Sequence, residues 1–348
     1  MTDLLLSILL FAGGLAIILK GADWLTDGAS AVAKRFNVST LVIGLTIVAF
    51  GTSAPEMIIS VLSALSGRTE MALGNVVGSN IFNVFAIMGI TAIIAPVKVS
   101  KNNLRYDIPL CILASVIVFA MANDFLLDNG KTNCIDRSEG IVLLAFFAIF
   151  MAYTFAIAKN KQTLENHVKD TSIQKREKIQ SEEIQQETAE TTAKDMPMWK
   201  SIILIVIGLA GLILGGNWFV DGASGIATVL GVSQSVIALT IVGAGTSAPE
   251  LVTSIVAARK KDTDMAMGNI VGSNIFNIFF ILGVSSTVYP LSLGNITTFD
   301  FIVLFFSSIS LWLCCKFGKT YHTITRTEGV LLTLCMVGYY IYVINFMN

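Results

Sequence analysis

The chain has 348 residues, of which 54 % are hydrophobic and 14 % are charged, and its formal net charge is -1. With a mean hydropathy of +0.74, this composition is typical of a chain that lies mostly inside a lipid bilayer, and it excludes an ordinary water-soluble domain. The near-zero net charge excludes a nucleic-acid partner, which would need a basic surface. The five cysteines are scattered and odd in number, so neither a disulfide framework nor a thiolate metal site is indicated.

Segments of about 20 mostly apolar residues are long enough to cross a bilayer, and the sequence contains ten of them. They lie near residues 4–31, 38–66, 71–95, 106–122, 139–158, 199–225, 232–258, 265–290, 299–317 and 327–346. The predicted fold class is therefore an all-α polytopic membrane protein with ten transmembrane helices. The first, second, sixth and seventh segments are longer than a bilayer requires, which predicts tilt, or interruption at their Gly and Pro residues.

The two halves of the chain repeat each other at a constant spacing of 194 residues. The repeated stretches are 21–30 and 215–224, 51–56 and 245–250, and 74–83 and 268–277. Five spans per half is an odd number, so the second half must enter the membrane from the opposite side. The sequence predicts two inverted five-helix repeats, with a binding site near the membrane midplane where they meet. The repeats would occupy residues 1–158 and 199–348, separated by a polar linker at 159–198.

Basic residues predict the orientation of the chain. The short loops on one side of the predicted membrane carry eleven lysines and arginines, including Lys34 and Arg259, and those on the other side carry Arg68, Lys131 and Arg137. By the positive-inside rule the first group is cytoplasmic. We therefore expect a multi-pass protein of the cell (inner) membrane with both termini outside the cytoplasm and the central linker inside it.

The stretch Gly-Thr-Ser-Ala-Pro-Glu occurs at 51–56 and again at 245–250, each time inside an apolar segment. A carboxylate near the middle of a membrane span costs at least about 2.5 kcal/mol, so Glu56 and Glu250 are expected to face a cation or a water-filled cavity. The proline before each glutamate lacks an N–H and clashes with the carbonyl four residues earlier. Each copy is therefore predicted to break its helix and to free the carbonyl oxygen of its glycine.

Each copy of this motif offers a carboxylate, two hydroxyls and freed carbonyl oxygens, which are the hard ligands that sodium and calcium prefer. The candidate ligands are Glu56, Thr52 and Ser53 in the first half and Glu250, Thr246 and Ser247 in the second. Two ionised carboxylates would neutralise one calcium ion, whereas magnesium, which prefers strict octahedral geometry, would fit worse. The alternative is a pair of protonated structural carboxyls.

A second set of polar residues recurs on the third and eighth apolar segments. Ser79 and Asn83 are four residues apart, as are Ser273 and Asn277, so each pair lies on one face of a helix. We expect these side chains to be further ligands of the same cation. The alternative is ordinary helix packing, in which small and amide side chains replace the hydrophobic effect, but recurrence beside a buried glutamate in both halves favours ligands.

The two Gly-Thr-Ser-Ala-Pro-Glu stretches are each followed by Gly-Asn-(Val/Ile)-Val-Gly-Ser-Asn-Ile-Phe-Asn. Together these motifs resemble the two alpha repeats of the sodium/calcium exchanger family, within the calcium/cation antiporter superfamily. The likeness is close over residues 21–94 and 215–288, and it is that of a bacterial-type exchanger without large regulatory domains. It implies an inverted-repeat fold in which Glu56 and Glu250 form a central calcium site.

The resemblance also implies flanking sodium sites and a transport mechanism in which the first and sixth spans slide across the others. The sodium ligands would be the hydroxyls of Thr52, Ser53, Ser79, Thr246, Ser247 and Ser273 and the backbone oxygens of Ala49 and Gly243. Many family members carry Asp at one of the positions of Asn83 and Asn277, so the site of this chain should carry two charges and not three. The proton-coupled branch usually has a different acidic motif, so the resemblance favours sodium.

The predicted function is a secondary active antiporter that exchanges Ca2+ for Na+ across the membrane by alternating access, and not an enzyme. We expect no cofactor beyond the transported ions, a lipid bilayer as the surroundings, and a monomer. An H+/Ca2+ antiporter and a passive cation channel could use the same oxygens and remain as alternatives. An intramembrane hydrolase with paired carboxylates would leave the repeated Thr-Ser and Ser-Asn pairs unexplained.

Overall fold

A computed structural model describes residues 2–36, 38–123, 133–176, 196–230, 243–294, 296–318 and 320–346. Over these residues the protein is helical apart from short loops and four two-residue strands. Two predicted features extend beyond the described residues. Positions 177–195 of the predicted linker and positions 232–242 of the seventh apolar segment lie outside them.

The helices are numbered in chain order. In the described part of the first half they are α1 (Thr2–Phe36), α2 (Thr40–Thr52), α3 (Ala54–Leu65), α4 (Thr69–Ile94), α5 (Asn103–Met121) and α6 (Arg137–Arg176). In the second half they are α7 (Met198–Val229), α8 (Gly243–Thr246), α9 (Ala248–Arg259), α10 (Thr263–Val288), α11 (Thr298–Phe317) and α12 (Arg326–Phe346).

Seven of these helices, or eight if α2 and α3 form one bent span, are long and apolar enough to cross a membrane. The protein is therefore an integral, multi-pass membrane protein. The count of ten spans and the boundaries of the two repeats stay predictions. The linker predicted from residue 159 is helical in its first part, because α6 continues to Arg176.

The long apolar segments behave in two different ways. Helices α1 and α7 are continuous over 35 and 32 residues, about 50 Å at 1.5 Å per residue, so they must tilt or project beyond a hydrocarbon core of about 30 Å. The sequence predicted tilt or interruption for these two segments, and the structure shows that they are not interrupted. The second segment is broken as predicted: α2 and α3 meet at Ser53 with a bend of 50°, and Pro55 lies in the first turn of α3.

Helices α1 and α7 pack against each other with very close backbones. A Cβ atom added to Gly21 would lie 2.8 Å from the carbonyl oxygen of Gly208, and one added to Gly215 would lie 2.9 Å from that of Gly14. Small residues at such an interface allow helices in a membrane to approach closely. The glycines recur every seven residues: Gly14, Gly21 and Gly28 on α1, and Gly208, Gly215 and Gly222 on α7.

The centre of the bundle is formed by α4 and α10. Of the most apolar 18-residue window of each helix, 78 % is buried in α4 and 89 % in α10, compared with 17 % in α1 and 28 % in α7. The α1–α7 pair therefore lies at the edge of the bundle. Its inward side chains, such as Leu25 and Leu212, belong to a second packing cluster, which also includes residues of α2, α9 and the first turn of α10.

Two short antiparallel strand pairs join the halves outside the central helices. The strand β1 (Val97–Lys98), which follows α4, pairs with β4 (Thr323–Ile324) before α12. The strand β2 (Cys134–Ile135), before α6, pairs with β3 (Leu291–Ser292), which follows α10. Each half thus contributes one strand to each pair, and the strand that follows each central helix pairs with a strand of the other half.

The close contact of α1 and α7 predicts opposite effects for two neighbouring substitutions. Gly21→Ala should lower the thermal unfolding temperature in detergent, because the new methyl group meets backbone of α7 and overpacking costs about 1–3 kcal/mol. Gly13→Ala is the matched control. No heavy atom lies within 4 Å of its added Cβ, so it should be neutral or stabilising, since alanine favours helix over glycine.

Candidate cation site

Glu56 and Glu250 are buried, with 0 % and 1 % of their surface exposed. Each lies in the first turn of a helix, α3 or α9, just after the break caused by the preceding proline. A helix begins with unsatisfied N–H groups and the positive end of its dipole, which favour a negative side chain there. The two breaks therefore place both carboxyl groups at positive helix ends inside the protein.

The two carboxyl groups are held by serines of the opposite half. The hydroxyl of Ser53 donates to Oε1 of Glu250 at 2.9 Å, and that of Ser247 donates to Oε1 of Glu56 at 2.9 Å. The side chains of Thr52 and Thr246 also reach the carboxyl groups of Glu250 and Glu56. The structure therefore brings both copies of the motif together at one place, between the two halves.

Several buried oxygen atoms at this place have no hydrogen-bond donor in the described part of the chain. They are Oε2 of Glu56, Oε2 of Glu250, Oδ1 of Asn83, Oδ1 of Asn277 and Oγ of Ser273. A buried polar atom without a partner costs free energy and calls for an explanation such as a bound ion or water. The first four atoms are acceptors in an ionised carboxylate or an amide, and hard cations such as sodium and calcium bind oxygens of this kind.

The side-chain nitrogens of Asn83 and Asn277 both donate hydrogen bonds to other asparagines. Nδ2 of Asn83 donates to Oδ1 of Asn274 at 2.9 Å, and Nδ2 of Asn277 donates to Oδ1 of Asn80 at 3.2 Å. Asn83 opens a π-helical stretch, Asn83–Met88, and Asn277 lies in another, Phe276–Leu282. Such π-helical turns are rare and occur frequently at functional sites.

A further asparagine in each half, which the sequence analysis did not select, supports the glutamate of that half. Nδ2 of Asn75 donates to the backbone oxygen of Glu56 at 3.2 Å and to Ser60 at 2.9 Å. Asn269 repeats both bonds, at 3.2 Å to Glu250 and 2.9 Å to Ser254. The signal was present in the sequence, because Asn75 and Asn269 recur at the same 194-residue spacing as the glutamates.

The remaining predicted ligands lie on the helices that carry these groups. The hydroxyl of Thr52 donates to Oδ1 of Asn269 at 3.1 Å, and Ser79 is buried on α4. The backbone oxygen of Ala49 accepts the N–H of Ser53 at 3.0 Å, so it lies in the last turn before the helix break. Gly243 is the first residue of the matching helix α8.

A cavity of about 380 Å³ adjoins the site on the side of α7. Pro55, Thr246 and Pro249 line it near the helix breaks, and Asn217 and Asp221 line it on α7. The lining is polar at the exposed Asn217 and Asp221, and near the helix breaks it combines two prolines with the hydroxyl of Thr246.

The corresponding part of α1 is closed by ion pairs. Nζ of Lys260, in the turn between α9 and α10, lies 3.1 Å from Oδ1 of Asp23 and 3.0 Å from Oδ1 of Asp27. It also donates to the hydroxyl of Thr26 at 2.8 Å. Asp27 is the repeat counterpart of Asp221, so the two halves differ here: one side has a cavity and the other a bridged contact.

The carboxylates that the described residues bring to this site are those of Glu56 and Glu250. In the part of the chain that the structure describes, no three His, Cys, Asp or Glu side chains gather in a way that could hold a metal ion. A cation here would be held by two carboxylates and neutral oxygens, which is the ligand set of sodium or calcium and not that of zinc or copper.

The fold and the duplicated motifs define a multi-pass membrane protein with two buried, paired carboxyl groups, and comparison with known proteins gives its family. The family described as sodium/calcium exchanger protein matches residues 6–156 and, separately, residues 200–345. The chain therefore belongs to the sodium/calcium exchanger family, with one family unit in each half.

Individual relatives are similar in sequence to this chain over nearly its whole length. It is 34 % identical to the putative antiporter CaxA of Alkalimonas amylolytica over 328 residues, 94 % of this chain and 95 % of that protein. It is 32 % identical to the sodium/calcium exchanger MaX1 of Methanosarcina acetivorans over 340 residues, 94 % of this chain and 95 % of that protein. A structure of the sodium-calcium exchanger NCX_Mj, soaked with zero Na+ and Ca2+, superimposes with a TM-score of 0.77 at 30 % identity, covering 98 % and 99 % of the two chains.

The crossed serine bonds predict a matched pair of stability effects. Ser53→Ala and Ser247→Ala should each lower the free energy of unfolding by about 1–3 kcal/mol, because each leaves a buried carboxylate oxygen without its donor. The two losses should be similar, since both bonds measure 2.9 Å. Thermal unfolding in detergent measures them, with Ser66→Ala as the control. Ser66 is exposed and donates only to the carbonyl of Leu62 at 2.7 Å, so its loss should have little effect.

Proposed function

We propose that the protein is an antiporter that exchanges Ca2+ for Na+, with both ions competing for oxygens around Glu56 and Glu250. The observation that carries this proposal is the set of buried oxygens, contributed by both halves, that have no donor within the described ranges of the chain. Two carboxylates carry the charge needed to neutralise one Ca2+, and the hydroxyls of Thr52 and Thr246 can help complete a shell of six to eight ligands. Competition for these ligands would couple the two ions, because binding of one excludes the other.

The proposed architecture has ten spans in two inverted repeats, with the termini outside the cytoplasm and the central linker inside it. The duplicated family match and the crossed contacts between halves support the repeats. In this orientation the cavity beside Asp221 opens to the outside, and the bridge of Lys260 lies on the cytoplasmic side. The described conformation would then be open outward.

Alternating access would move the α1–α7 pair against the rest of the bundle. The pair packs closely through its glycines, and its buried side chains share one packing cluster with residues of α2, α9 and α10. Sliding this pair would close the cavity beside Asp221 and open the equivalent space beside Asp27. The ion pairs of Lys260 with Asp23 and Asp27 would have to break during that movement.

The coupling ion is tested by calcium uptake into vesicles. Purified protein is reconstituted in liposomes loaded with Na+, K+ or an acidic buffer, and uptake of radioactive Ca2+ is followed after dilution. We expect uptake driven by the outward Na+ gradient and abolished in Glu56→Gln and Glu250→Gln. Glu70→Gln, at an exposed residue of α4, serves as the control. Uptake that follows pH and ignores Na+ would instead identify a proton-coupled exchanger, and uptake that needs no counter-ion would identify a channel.

The Lys260 bridge predicts a change in rate without a change in binding. Lys260→Gln removes the charge that holds the turn between α9 and α10 against α1. Partly exposed ion pairs contribute about 0.2–1 kcal/mol each, so the variant should shift the balance of conformations and alter the exchange rate a few-fold. Ca2+ affinity at the distant site should stay the same. Lys261→Gln, at the next residue, is the control, and equal effects of the two variants would exclude the bridge.

A further inference from the structure

Four asparagines at the centre of the bundle form a network that crosses between the halves. Oδ1 of Asn80 accepts a hydrogen bond from Nδ2 of Asn277 at 3.2 Å, and Oδ1 of Asn274 accepts one from Nδ2 of Asn83 at 2.9 Å. Nδ2 of Asn80 donates to the backbone oxygen of Asn274 at 3.4 Å, and Nδ2 of Asn274 returns the same bond at 3.4 Å. All four side chains have 0 % or 1 % of their surface exposed.

Within this network the four residues have different roles. Asn80 and Asn274 have both ends of their amides engaged, so they have no group left for an ion. Asn83 and Asn277 use only their nitrogens, and their Oδ1 atoms are buried without a donor among the described residues. The nitrogen and oxygen of an amide are fixed to one planar group, so holding the nitrogen fixes the direction of the oxygen.

We propose that Asn80 and Asn274 are positioning residues that fix the orientation of the Asn277 and Asn83 amides and so select neutral oxygens at these two ligand positions. This inference rests on the proposed function, since it takes the Asn83 and Asn277 oxygens as cation ligands. Without its acceptor an amide could rotate by half a turn and present its N–H groups, which repel a cation. An aspartate at position 277 would face the acceptor Oδ1 of Asn80 with another acceptor.

The network therefore explains in physical terms why the site carries two charges. Each orienting residue comes from the half opposite to the amide that it holds. Asn80 is expected to act on Asn277 across the interface and not on Asn83, although Asn83 is three residues away on the same helix. If Asn80 only contributed to the packing of α4, its substitution would not affect Asn277 more than Asn83.

The test is a double-mutant cycle on Ca2+ affinity, measured by titration calorimetry of the purified full-length chain without Na+. Asn80→Ala should weaken Ca2+ binding about tenfold, or about 1.4 kcal/mol, because it leaves the buried Asn277 nitrogen without an acceptor. In the Asn277→Ala background the same substitution should have no further effect, since no amide remains to be oriented. In the Asn83→Ala background it should keep its full tenfold effect.

A second double-mutant cycle, which starts from Asn274→Ala, tests the same inference independently. Asn274→Ala should lose its effect in the Asn83→Ala background and keep it in the Asn277→Ala background. Asn80→Asp retains an oxygen for the Asn277 amide but loses the donor to the backbone oxygen of Asn274, so it should lose less Ca2+ affinity than Asn80→Ala. If Asn80→Ala does not fold, Asn80→Leu, which keeps the side-chain volume, takes its place, and the second cycle stands on its own.

The outcomes separate this inference from the proposed function. Equal effects of Asn80→Ala in both backgrounds, or no effect in either, would overturn the positioning role while leaving the antiporter proposal intact. A wild-type chain that binds neither Ca2+ nor Na+ would overturn the proposed function itself. Selective coupling of Asn80 to Asn277 and of Asn274 to Asn83 is the result that we expect.

Discussion

The structure depends on a reciprocal contact: each buried glutamate is held by a serine from the other half of the chain. Neither half can complete this contact alone, because Ser53 lies three residues before Glu56 and yet donates to Glu250. The proline breaks, the positive helix ends and the central position of α4 and α10 all serve to bring these groups together. The duplicated sequence is therefore a requirement of the site and not only a trace of its origin.

Two buried carboxylates repel each other and lose their hydration, which costs far more free energy in a low-dielectric interior than in water. One serine donor and one helix end per carboxylate offset only part of this cost. The second carboxylate oxygens have no donor among the described residues, so the arrangement favours occupation by positive charge. In an exchanger of the kind proposed above, an empty site would therefore be less stable than one filled by a cation.

Much of the site could be predicted from the sequence, because its parts lie in a repeated motif. The glutamates, their prolines and the Ser-Asn pairs recur at one spacing, and the helix break at Ser53 followed from Pro55. The crossing of the serine bonds could not be predicted, since spacing along a chain does not reveal which half a hydroxyl faces. The roles of Asn80 and Asn274 were missed for the same reason. The heptad glycines left α1 and α7 uninterrupted because they serve close packing between helices.

The central claim is that both glutamates belong to one shared cation site, and the number of Ca2+ ions bound per chain tests it most directly. Equilibrium dialysis with radioactive Ca2+ would compare the wild type with Glu56→Gln and with Glu250→Gln. If the site is shared, the wild type binds one Ca2+ with high affinity and either substitution alone removes it. If instead the wild type binds two ions and each single variant keeps one at unchanged affinity, the glutamates form separate sites and the account is wrong.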